Sequence, residues 1–180
     1  MRRPRGPGRS GWTFSGLRPL ALLLIGLLGL ASVPAVTLVG CAAHEIGHGL
    51  AGTALGYEVE LIRLCPGAAG VDWAPSPLTP IDTTVEAWAG GLFAGVLLLG
   101  VYGLLAWTRA PLRSPPAWVV GFPLASIGAG ELLFGILEGA AQGRESQLFV
   151  AQPLFMYPLV AVVLLGPCAI HLIAWRGVLR

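Results

Sequence analysis

The chain has 180 residues, 55% of them hydrophobic and 11% charged, with a formal net charge of +2 and a mean hydropathy of +0.76. That composition excludes an ordinary soluble domain and leaves room for a handful of membrane spans of about 20 residues each. All eleven basic residues are arginines and none forms a patch interleaved with aromatics, so no nucleic-acid partner is expected.

The chain opens on "MRRPRGPGRSGWTFSGLRP", residues 1–19, a basic head expected to be disordered. Five of the arginines fall in its first 18 residues, which reads as a topology signal placing the N-terminus in the cytoplasm. A basic head before an apolar run also fits a signal peptide with cleavage after "VPA" at Ala35, but the apolar run continues past that site. The run covers residues 20–55, and as one helix it would be about 54 Å long against a hydrocarbon core of about 30 Å. Two arrangements are open: one long helix kinked at Pro34, or two short spans turning near "ASVPA". Arginine counting favours the single helix, because four spans in total divide the arginines nine against two and five spans divide them seven against four.

The segment 57–74, "YEVELIRLCPGAAGVDWA", is expected to form two short strands. Tyr57, Val59, Leu61 and Leu64 alternate roughly with Glu58, Glu60 and Arg63, and "CPGAAG" supplies the turn. A proline-rich connection, 74–83, leads to three further spans at 84–107, 116–140 and 152–175, and residues 176–180 form a tail. Trp88, Trp107, Trp118 and Trp175 fall near span ends, where amphipathic rings meet the membrane–water interface. The fold class is therefore an all-α polytopic membrane protein of four or five transmembrane helices, with a small β-hairpin after the first hydrophobic block. The lipid bilayer is its medium, and the composition is compatible with a prokaryotic plasma membrane. Cys41, Cys65 and Cys168 lack metal-ligand spacing and indicate no disulfide framework, and Cys41 and Cys168 read as packing residues.

Within the first hydrophobic block, "HEIGH" places His44, Glu45 and His48 among apolar residues, where every ionisable group is costly. Residues i and i+4 share a helix face, so His44 and His48 can offer a nitrogen each to one ion. Glu45, one step round, can reach a water on that ion without ligating it. H-E-x-x-H on a helix is the arrangement of a zinc hydrolase, with two histidine ligands and a glutamate general base. The competing reading, two histidines hydrogen-bonded across helices, makes a packing contact at high cost. A catalytic zinc expects a third protein ligand. His171, near Trp175, reads as an interfacial polar group. Glu131 and Glu138 in "GELLFGILEG" lie two helical turns apart on one face, and two carboxylates cannot face lipid, so that face is expected to look at the histidines. At least one of them is the economical third ligand, and a continuous helix, rising about 10 Å between them, cannot bring both to one ion. Asp72 and Asp82 read as solvated.

"HEIGHGLAGTALGYEVELIRLCPGAAGVDW" resembles the metal-binding helix and following β element of the site-2 protease family, the intramembrane zinc metallopeptidases. The segment "AWAGGLFAGVLLLG", 87–100, is similar to that family's glycine-rich helix with its A-G-P-x-x-N pattern. Here Gly91 and Leu92 stand for Gly-Pro, and the asparagine is replaced by small residues near Ala94 and Gly95. "LEG", 137–139, resembles the family's L-D-G, with Glu138 in the place of the aspartate ligand. The resemblance implies zinc on His44, His48 and Glu138, with Glu45 as base and Glu131 orienting the substrate or hydrogen-bonding a ligand. It also implies that the strand Tyr57, Glu58, Val59, Glu60 and Leu61 pairs with an unwound segment of a membrane protein substrate. Such pairing has a physical rationale, because a helix shields its peptide bonds and cleavage needs an extended stretch with another backbone partner. The expected function is an intramembrane zinc metalloendopeptidase. The alternative is a non-proteolytic metal-binding scaffold of the same architecture that holds a partner helix.

Overall fold

The computed structural model describes residues 14–74, 80–141 and 152–176. Most of the expected basic head, the middle of the proline-rich connection, Arg144 and the end of the tail lie outside those residues. Among the described residues four long helices are present: α1 (Pro19–Ala54), α2 (Pro80–Trp107), α3 (Pro115–Ala141) and α4 (Pro153–Ala174). All four are long and apolar enough to cross a membrane, the architecture of an integral membrane protein. Between α1 and α2 lies an antiparallel hairpin of β1 (Val59–Arg63) and β2 (Gly70–Trp73).

Of the two arrangements open for the first hydrophobic block, the structure adopts one continuous helix of 36 residues with Pro34 inside it. Its start suits Pro19, whose missing N–H costs nothing in a first turn. Its end is written by Gly56 at φ +87°. There the Tyr57 N–H donates to the Gly52 carbonyl and the Gly56 N–H to the Thr53 carbonyl, the paired bonds of a Schellman motif. The leucines at the helix start, from Leu20 to Leu30, are exposed and lie outside the packed bundle.

Small residues set the helix packing. On α1 a stripe of Ser32, Val36, Gly40, Ala43 and Gly47 is buried at helical spacing. A methyl group at Gly47 would lie 2.6 Å from the Ala89 carbonyl of α2. Helices α2 and α3 cross at backbone contact, since a methyl at Gly91 would lie 2.3 Å from both the Glu131 carbonyl and the Gly135 nitrogen. Leu98 and Leu124 close the bundle with Val36 further along.

The hairpin runs back along α1. Ile62 sits against Gly49 and the Trp73 indole against Gly52, where a methyl would collide with each. Cys65 at the hairpin turn forms a disulfide with Cys41 of α1. Both points correct the sequence reading. Cys41 is a cross-link and not a packing residue, because the Gly56 turn reverses the chain and returns Cys65 to the helix. The strand expected from Tyr57 begins at Val59, and Glu60 is the extra residue of a bulge between Val59 and Leu61. The bulge moves the inward positions by one, so Val59 and Ile62 are partly buried while Leu61 and Leu64 are about half exposed.

His171 also differs from expectation. It is fully buried and ties three helices together, donating from Nε2 to the Trp118 carbonyl (3.0 Å) and accepting at Nδ1 from the Tyr102 hydroxyl (3.2 Å). Trp118 and Trp175 turn inward to pack around it, whereas Trp107 is 87% exposed.

The α2–α3 crossing makes a clear test. Gly91→Ala places a methyl into backbone and should cost about 1–3 kcal/mol by overpacking. Gly103→Ala, with nothing within 4 Å of its methyl, should be neutral or stabilise the helix by about 0.5–1 kcal/mol. Thermal unfolding of both variants in detergent measures the difference.

Candidate metal centre

The end of α1 near the hairpin, the start of α2 and the end of α3 meet at one level of the bundle. Helix α1 contributes His44 and His48, α2 contributes Glu86 and Gly90, and α3 contributes Glu131 and Glu138. All these ionisable side chains are largely buried, His48 and His44 at 12% and 15% exposed and Glu138 at 22%.

Each imidazole is held by its Nδ1. For His48, Nδ1 lies 2.8 Å from the Glu86 carbonyl and 2.9 Å from Glu86 Oε1. A carbonyl oxygen can only accept, so Nδ1 carries the proton and donates. For His44, Nδ1 lies 2.9 Å from Glu131 Oε2 and donates to that carboxylate. Both Nε2 atoms face Glu138, and in the neutral ring each carries the lone pair. Glu138 Oε2 lies 3.2 Å from His44 Nε2 and 4.0 Å from His48 Nε2, yet it is buried and accepts no hydrogen bond. Three potential ligand atoms thus converge within 4.8 Å of one another.

This donor set fits a divalent cation. Tetrahedral ligands about 2.1 Å from an ion stand about 3.4 Å apart, close to the spacing here. The space is kept open by Gly90, where a methyl group would lie 2.3 Å from His48 Nε2 and 2.7 Å from His44 Nε2. Carboxylate or carbonyl oxygens bonded to the remote nitrogens of two histidines are also the usual supports of metal-ligating imidazoles.

Of the residues singled out in the sequence, His44, His48, Glu131 and Glu138 come together here. Glu131 and Glu138 face different nitrogens, as their separation along one helix requires. Glu45 is adjacent on α1, partly buried and hydrogen-bonded to none of the described residues. Residues 57–61 lead from the end of α1 into the hairpin, which packs on Gly49 and Gly52 of α1 and has β1 as one edge of its two-stranded sheet. Asp72 pairs with Arg63 across the hairpin. An apolar cavity of about 430 Å³ lined by Val33, Trp118, Phe122, Ser126 and Cys168 lies toward the opposite end of the bundle and touches none of the donors.

Sequence reasoning missed Glu86 and the role of Gly90. Glu86 was visible as a carboxylate within the apolar span 84–107, a placement as costly as that of Glu131. Gly90 carried no signal of its own, because its value lies in what it leaves out. No protein-family model, curated protein or solved structure matches the chain.

The two histidine supports differ in a testable way. Glu131→Ala removes the acceptor that holds His44 and should weaken binding of a divalent cation by about 10- to 100-fold. Glu86→Ala leaves the residue-86 carbonyl on His48 Nδ1 and should weaken it less. Competition titration of zinc against a chromophoric chelator gives both constants.

Proposed function

We propose that the chain is a membrane-embedded zinc metallopeptidase of the site-2 protease type, cleaving a peptide bond of a membrane protein. One observation carries the reading: both histidines donate from Nδ1 to fixed acceptors, and their Nε2 atoms converge with a buried Glu138 oxygen that accepts no hydrogen bond. His44, His48 and Glu138 would hold the zinc. Bound there, it would acidify a water and polarise the scissile carbonyl. Glu45, beside His44 and free of hydrogen bonds to the described residues, is positioned to take a proton and deliver it to the leaving amine. Glu131 and the Glu86 carbonyl keep the imidazoles oriented. The outer edge of β1 offers backbone groups to an extended substrate segment.

Detergent-purified protein should contain about one zinc per chain, and the double variant His44→Ala, His48→Ala should lose it. Full zinc content in that variant would place the metal elsewhere. Among the carboxylates, Glu138→Ala should reduce zinc affinity more than Glu131→Ala, and the reverse order would exchange their roles.

Glu45→Gln keeps the shape of the side chain and removes its capacity as a base. It should keep its zinc while cleavage of a membrane substrate falls by about 100- to 10,000-fold. Wild-type turnover by that variant would rule out Glu45 as the base, and zinc without any turnover in the parent chain would favour the scaffold reading.

A further inference from the structure

We infer that the metal centre opens at the extracytoplasmic surface of the membrane, and that its substrate is the extended juxtamembrane stretch of a membrane protein on that side. The inference rests on the metallopeptidase reading for its substrate, while the sidedness and depth stand on three observations of their own.

The depth follows from α2. Trp88 and Trp107 are both exposed, at 43% and 87%, and lie nineteen residues apart on this one helix. That separation is about 28 Å, one hydrocarbon thickness, so the two rings mark the two membrane interfaces. The donor cluster lies at the level of Trp88. Gly90 is two residues away, and the Trp88 ring packs on Gly139, the neighbour of Glu138. On α3, Glu138 stands about 30 Å along the axis from Trp118 at the other end. The cluster is thus at one interface and not at the bilayer centre.

The side follows from charge and from the disulfide. Arg109 and Arg113 follow Trp107 directly, and Phe14 and Trp175, the chain neighbours of Arg18 and Arg176, pack on Trp118 at that same end. Among the described residues the cluster's end has one arginine, Arg63, on the hairpin. The arginine bias places the Trp107 end in the cytoplasm and the cluster outside. Independently, the Cys41–Cys65 disulfide ties the hairpin to α1 at the cluster's end, three residues before His44. Disulfides form and persist in oxidising compartments and are rare where thiols are kept reduced. Two features of unrelated chemistry therefore assign the same side.

A site at an interface asks less of its substrate than one in mid-bilayer. A segment just outside the hydrocarbon is already solvated, so it can lie extended along β1 without first breaking helical hydrogen bonds in lipid. Chains whose extracytoplasmic flank is extended suit this site, and a peptide bond at the centre of a continuous transmembrane helix does not.

Sidedness is tested without reference to zinc or turnover, on the full chain in the membrane of spheroplasts. In a Cys168→Ser background, Cys41 and Cys65 should react with a maleimide only after reduction. Glu60→Cys on the hairpin should be labelled by a membrane-impermeant maleimide in intact spheroplasts, and Thr108→Cys, beyond Trp107, only after permeabilisation. Free thiols at positions 41 and 65 before reduction, or labelling of Thr108→Cys but not Glu60→Cys in intact spheroplasts, would overturn the assignment. Neither result would touch the zinc-binding reading, and a zinc-free protein with this labelling pattern would overturn that reading alone.

Discussion

The structure depends on the mutual satisfaction of ionisable groups inside an apolar bundle. Glu45, Glu86, Glu131 and Glu138 bring four carboxylates to one level of three helices, facing two imidazoles whose Nδ1 protons are already committed. Ionisable side chains within transmembrane segments are costly and need partners. A divalent cation held by His44, His48 and Glu138 would balance that charge. The same ion would thus also relieve the electrostatic cost of assembling the site, and would couple folding to metal loading.

Glycine makes that assembly sterically possible. The adjacent pair Gly90–Gly91 faces two neighbours at once: Gly90 yields space to the imidazoles of α1, and Gly91 yields to the backbone of α3 at Gly135. A side chain at the first would fill the space between the donors. A side chain at the second would push α3 outward and carry Glu131 and Glu138 away from the histidines. Helix α2 therefore positions a site to which its own side chains contribute little beyond Glu86. In lipid, where apolar side chains gain nothing by leaving solvent, close backbone approach of this kind is the main source of helix association.

Much of this was legible in the sequence, for identifiable reasons. Long apolar runs announce helices whatever their neighbours, and the one-turn spacing of His44 and His48 fixes their common face. The separation of Glu131 from Glu138 already required that they act at different points. What the sequence hid depends on the path of the chain between elements. The Cys41–Cys65 link needs the Gly56 reversal and the length of β1 together. The bulge at Glu60 exchanges Leu61 for Ile62 on the buried face, an outcome that period-two reading cannot anticipate. His171 read as interfacial from its place near a helix end. It is buried because Gly121 leaves room for its ring and both its nitrogens find partners.

The hairpin and the disulfide give the active-site helix a fixed companion. From Gly56 the chain returns along α1, and Ile62, Trp73 and Cys65 each engage a residue of the helix that is either small or cross-linked. The loop closed by the disulfide contains His44, Glu45, His48 and the whole of β1, so the metal ligands on α1 and the strand beside them are held as one covalent ring. A two-stranded sheet on its own is marginally stable. Here it gains its rigidity from the helix it lies on, and it can keep a backbone edge extended because the opposite edge is paired with β2. An enzyme that must hold a substrate strand in register beside a metal needs the strand and the metal ligands to share one frame. In this chain that frame is the last third of α1.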